Sequence, residues 1–200
     1  MKRIEIAALC GILLSIALSS LSVFADDCEA LHGEVLRLHI IANSDSPEDQ
    51  ALKLKVRDRI LAETEDLFSA EKNLDAAKRD AAASLDRLCR LAEDELSENG
   101  CDDAVSAEVC RMWFDTRFYG DYTLPAGTYD AVRLTIGKAE GKNWWCVLFP
   151  PLCVNSAMDE KELKEILSES GETLVKGGES FRVKFYLVEL LEKLFHKERV

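Results

Sequence analysis

The chain lacks most of what an enzyme or a metalloprotein displays. It has three histidines, His32, His39 and His196, and none has a partner at metal-ligand spacing. No Cys-x-x-Cys pair occurs, which argues against a zinc ribbon and against a thioredoxin-like redox site. Basic residues never cluster. The 25 Lys and Arg alternate with 37 Asp and Glu, for a formal charge of −12. A phosphate backbone needs grouped cations, so this charge pattern argues against nucleic-acid binding. The segment from Gly137 to Asn143 has three residues between its glycines, no Ser or Thr after Lys142, and a strand after it. A phosphate-binding loop needs four residues, a hydroxyl and a helix, so the segment reads as a loop between strands. No catalytic residue, cofactor or metal ligand is assigned.

Apolar sequence is plentiful, at 48%. The first long run follows Lys2 and Arg3 and extends from Ala7 to Leu18. Small residues come next, and Val23 and Ala25 occupy the −3 and −1 positions of a leader-peptidase site. Residues 1–25 therefore read as a signal peptide and 26–34 as a spacer. An uncleaved anchor is the competing reading. Ile6 to Ala25 is just long enough to span a bilayer, but its four serines weaken that reading. Cleavage removes Lys2, Arg3 and Glu5, leaving 23 basic and 36 acidic residues and a charge of −13. Six cysteines survive: Cys28, Cys89, Cys101, Cys110, Cys146 and Cys153. Export allows them to oxidise, and spacing alone cannot choose among 15 pairings. Cys146 and Cys153 flank Pro150-Pro151 and can close a small loop.

The remainder, 35–200, predicts one α+β domain. Val35 to Asn43 alternates as a strand with one buried face. Leu52, Val56 and Ile60 repeat every four residues in a helix reaching about Leu67. A longer helix is expected over Glu71 to Leu96, ended by Asn99-Gly100. Val105 to Tyr119, Tyr129 to Ile136 and Trp144 to Phe149 then predict an antiparallel meander of about three strands. Met158 to Ser168 and Ser180 to Phe195 read as C-terminal helices.

Two stretches stand out as contact candidates. The first is the polar joint Asn43-Ser44-Asp45-Ser46 between the first strand and its helix. Ser46, Pro47 and Asp49 form a helix start, with Ser46 capping the Asp49 amide. Carboxylates at 45, 48 and 49 already occupy the positive end of the helix dipole, so an anion site there is disfavoured. The second is Trp144 to Cys153. Successive strand residues face opposite sides, so Trp144 and Trp145 need either two covered faces or one exposed ring. Exposed aromatics often anchor a partner. The residues chosen for partner contact are Asn43, Ser44, Asp45, Ser46, Trp145, Pro150 and Pro151.

The stretches HIIANSDSPEDQALKLKVRDRIL and FYGDYTLPAGTYDAVRLTIGKAEGKNWWCVLFPPLC resemble the stage II sporulation protein R family of endospore-forming bacteria. The resemblance is close over Val35 to Leu61 and Phe118 to Cys153. It implies an exported signalling protein and not an enzyme. Such a protein is made in the forespore and delivered into the space between forespore and mother cell. There it triggers a membrane-embedded aspartic protease that processes a mother-cell pro-sigma factor. No nucleic acid and no small-molecule substrate is implied. Two other readings compete. One is a secreted cell-envelope hydrolase using Asp45, Asp49 or His39. The other is a small-ligand-binding module beside Trp144 and Trp145.

Overall fold

A computed structural model describes residues 3–69, 73–119, 122–152, 163 and 165–196. Its elements in chain order are α1 (Arg3–His32), β1 (Leu36–Ile41), α2 (Pro47–Ser69), α3 (Leu74–Ala83), α4 (Leu85–Glu98), β2 (Val105–Phe114), β3 (Arg117–Tyr119), β4 (Tyr122–Leu124), β5 (Gly127–Ile136), β6 (Asn143–Phe149), α5 (Glu169–Lys176) and α6 (Arg182–His196). A 3-10 turn, Gly178–Phe181, precedes α6. The class is α+β, as the sequence predicts.

The main sheet has the order β2-β5-β1-β6. β2 and β5 pair antiparallel, β1 and β5 parallel, and β1 and β6 antiparallel. The three later strands are therefore not neighbours throughout, because β1 is inserted between β5 and β6. Burial explains the insertion. Leu36, Leu38 and Ile40 point to one side and Arg37 and His39 to the other, and all five are buried. A strand covered on both faces belongs at the centre of a sheet, so the one-sided strand expected from the alternation is corrected.

Two cores result. Leu36, Leu38 and Ile40 meet Val132, Leu134 and Leu148 under Val56 and Ile60 of α2, Ala77 and Ala81 of α3, and Leu88 and Ala92 of α4. Val35, Phe114, Tyr129 and Val147 meet Phe24, Cys28 and Leu31 of α1, Leu174 and Val175 of α5, and Phe185 and Val188 of α6. Truncating a residue such as Leu38 in either core costs about 2–5 kcal/mol.

Several boundaries move. The helix expected over Glu71 to Leu96 breaks at Ser84, which has φ −100° and ψ 0° and donates its amide to the Ala81 carbonyl. The break lets two short apolar stripes reach the same core. The expected end at Asn99-Gly100 stands, with Gly100 at φ 74° and the Cys101 amide bonded to the Leu96 carbonyl. The strand expected to run to Tyr119 stops at Phe114. There Thr116 Oγ1 donates to Glu189 of α6 (2.7 Å) and accepts from the Ala126 amide (3.1 Å). Beyond it, β3 and β4 form a separate small hairpin.

Most of the acidic helix expected over Met158 to Ser168 lies outside the described residues. The following α5 has no counterpart in the sequence reading. Ser168 caps it, accepting from the Gly171 amide at 3.1 Å. A Cβ on Gly171 would lie 2.6 Å from Glu34 Oε2, which accepts from the Ser168 amide (3.1 Å).

The N-terminal helix fits a signal peptide in its apolar half, and it is long and apolar enough to cross a membrane. It does not end at Ala25 but continues to His32, inside the second core.

Candidate partner-binding surface

The polar joint is built as a lock. Ser46 Oγ accepts from the Asp49 amide (3.0 Å), which is the predicted cap. Asp49 in turn accepts from Ser44 Oγ (2.5 Å) and Asn43 Nδ2 (3.1 Å). These bonds, Ser44 foremost, hold the Asp49 carboxyl below its usual range. Gln50 Nε2 donates to the Ser44 carbonyl (2.8 Å).

The joint also grips the loop between β5 and β6. Asn43 Oδ1 accepts from the Lys138 amide (2.9 Å), and Asp45 Oδ1 from the Lys142 amide (2.7 Å). Glu140 and Gly141 amides donate to the Asn43 and Ala42 carbonyls. Lys53 is 4% exposed and donates to Gln50 Oε1 (2.6 Å) and the Lys142 carbonyl (2.8 Å). Burial lowers its pKa. Two glycines make this approach possible. A Cβ on Gly137, at φ +56°, would lie 2.3 Å from Asn43 Oδ1, and one on Gly141 would lie 2.2 Å from the Ser44 carbonyl oxygen. Asn43, Ser44 and Ser46 are thus committed to internal bonds, and Asp45 is the exposed member of the four.

The tryptophan pair divides between the faces. Trp144 packs against the α2–α4 core, with the Arg57 guanidinium 4.3 Å from its ring centre. Trp145 is half-buried on the other face, stacked on His39 at 4.0 Å and 7° and edge-on to Phe114 at 4.8 Å. Helices cover both faces, so neither ring stands free. His39 Nε2 donates to Asn143 Oδ1 (2.9 Å), and burial lowers its pKa.

Beside His39 lies an arrangement that charge alternation along β1 does not reveal. Arg37 is fully buried and sits in a box of rings, 4.1 Å from Phe114, 4.9 Å from Tyr129 and 5.8 Å from Tyr119. Its Nη2 donates to Tyr119 Oη (2.6 Å), while Nε and Nη1 have no hydrogen-bond partner among the described residues. Among the described residues no carboxylate forms an ion pair with it. His32 completes the cluster, edge-on to Tyr129 at 4.4 Å. Burial lowers its pKa to about 4, opposed by a backbone bond to Ala126 and assisted by Arg37 and Arg111.

The chosen contact residues therefore fall at two ends of the sheet. Ile41 pairs with Asn143 and Leu36 with Phe149. Asn43 to Ser46 and Trp145 flank the first end. Pro150, buried behind a cis Phe149–Pro150 bond, and the half-buried Pro151 lie at the other, roughly 17 Å away along the strand. Cys146 is disulfide-bonded, and Cys153 lies outside the described residues. Cys10, Cys89, Cys101 and Cys110 are free thiols, and burial raises the pKa of the last three.

Chemically the arrangement favours rigidity over turnover. His39 is stacked and bonded to an amide, Asp49 is bonded to a cap, and Asp45 to a backbone amide. Among the described residues no group of three His, Cys, Asp or Glu can hold a metal ion.

The two stretches quoted above thus form one structural unit, β1 and α2 against β6. The family model for stage II sporulation protein R matches residues 32–159. The stage II sporulation protein R of Bacillus subtilis (strain 168) is 32% identical over 183 residues, which covers 81% of this chain and 82% of that protein. No solved structure matches the chain.

Proposed function

From the premise that this chain belongs to the stage II sporulation protein R family and serves in sporulation, we propose that it is an exported protein ligand. In this reading it leaves the forespore, acts in the space between forespore and mother cell, and switches on a membrane-embedded aspartic protease of the mother cell. The protease then processes a pro-sigma factor. The protein itself catalyses nothing.

The observation that carries the reading is the shared lock. The two signature stretches meet in a single rigid end, where Asn43, Asp45 and Lys53 fix the loop from Gly137 to Asn143. Their polar atoms serve shape, and the shape ends in an exposed charged rim of Asp45, Lys138, Glu140 and Lys142. A preformed surface loses little entropy on docking. The rim, together with Trp145, is the proposed contact. Pro150 and Pro151 take part only if the partner reaches the far end of the sheet.

Activation requires that the ligand bind the protease's active state more tightly than its inactive state. A 100-fold preference shifts the equilibrium by about 2.7 kcal/mol. The test is co-expression of this chain, the protease and the sigma precursor in a host that does not sporulate. Processing should appear only when all three are present. Equal processing with and without this chain removes the proposal.

A further inference from the structure

α1 carries two unlike surfaces on one unbroken helix. Every residue from Arg3 to Ser20 is exposed, including Leu9, Ile12, Leu14, Ile16 and Leu18. Eighteen residues at 1.5 Å each span about 27 Å, close to the roughly 30 Å of a bilayer's hydrocarbon layer. At Leu21 the character changes. Leu21 and Ala25 pack on the second core, Phe24 is 5% exposed, and Cys28 and Leu31 are fully buried. The Phe24 ring lies 5.4 Å from Phe181 and 5.2 Å from Phe185, with Lys184 Nζ 5.2 Å above it.

The Ala25–Asp26 bond, the predicted cleavage point, therefore lies in the packed half and not at the boundary. Cutting it would remove Leu21, Phe24 and Ala25 from the folded domain and uncover Phe181 and Phe185. A peptidase needs its target segment opened out of the helix, and packing suppresses that opening.

We infer that α1 is retained after export, as a stem that inserts in the membrane and continues into the core of the exported domain. This rests on the export reading above. Lys2 and Arg3 stay on the cytoplasmic side, as basic flanks do. Ser19 and Ser20 mark the lipid–water boundary. They line a groove with Asp27, Glu169, Phe181 and Lys184, a polar rim of the kind that sits at the membrane–water interface.

The full chain, produced in a secreting host, tests this by intact mass, alkaline carbonate extraction and protease treatment of whole protoplasts. The expected result is an uncut chain in the carbonate-resistant pellet whose domain is digested from outside. A Leu21→Ser, Phe24→Ser chain, with the packing removed, should show at least a tenfold larger fraction beginning at Asp26. A wild-type chain beginning at Asp26 and released from the membrane overturns the inference and leaves export standing. A domain sheltered from external protease overturns both. An exported double variant that stays uncut also overturns the inference, because packing would then not be what protects the bond.

Discussion

Replacing Arg37 with methionine is the sharpest test of how the second core is held. The guanidinium gains a charge-assisted bond to Tyr119, about 1.5–3 kcal/mol, and cation–π contacts with Phe114 and Tyr129, about 2 kcal/mol when desolvated. Against this stand two buried N–H groups, Nε and Nη1, at about 1–3 kcal/mol each. The cost of taking the charge out of water is several kcal/mol. The unbonded N–H groups are part of that same desolvation cost, and counted once the costs exceed the gains by roughly 0–2 kcal/mol. Arg37→Met, which keeps the volume, should therefore range from neutral to about 2 kcal/mol more stable. Arg37→Ala should lose about 2–5 kcal/mol, because it empties the box. Tyr119→Phe should cost about 2 kcal/mol in the wild-type background, where it strips the cation of its hydrogen bond. In the methionine background it should cost much less. The assay is urea unfolding of the full chain in mild detergent, followed by tryptophan fluorescence, with the four proteins forming a double-mutant cycle. A loss above about 3 kcal/mol for Arg37→Met at unchanged m-value, or no coupling to Tyr119, refutes the reasoning. The folded methionine variant should still trigger precursor processing.

Other expectations follow from the same geometry. His32 has a folded-state pKa near 4 against an ordinary 6.5. Its neutral form is favoured, so its stabilisation is complete above about pH 6.5 and is lost as pH falls toward 4. Between pH 8 and 5 the loss should be about 2 kcal/mol, visible in urea midpoints and diminished in His32→Gln. Gly141→Ala should push the Ser44 backbone off the loop, cost about 1–3 kcal/mol and depress precursor processing more than it depresses folding. Lys53→Met removes the bonds to Gln50 and the Lys142 carbonyl. Amide exchange over residues 137–143 should accelerate at least tenfold while exchange in β5 stays slow, and equal rates throughout would deny the lock.

The elements were largely legible because periodicity reports burial directly. The Leu52, Val56 and Ile60 repeat and the Ser46 cap appear as predicted. What periodicity conceals is a polar residue buried for a tertiary reason. Arg37 and His39 alternate with leucines and so imitate a solvated face, yet α1, α5 and α6 cover them. Strand order was hidden for a related cause, since pairing of β1 with β5 joins residues more than 90 positions apart. Of the contact candidates, the joint's importance was visible in its residue types. Its partner loop was not, because nothing in Gly137 to Asn143 announces that its amides point at Asn43 and Asp45. Lys53, one of the charged residues around the apolar stripe of its helix, proved to be part of the fastening.

The two-sided burial of β1 has a consequence for fidelity. Sliding the strand by one position against its neighbours would exchange its faces. A guanidinium and an imidazole would then be thrust among the aliphatic side chains of α2 to α4, and three aliphatic groups would replace them in the ring-lined compartment. A one-residue slip is therefore heavily penalised on both faces at once, which guards the setting of the sheet's centre.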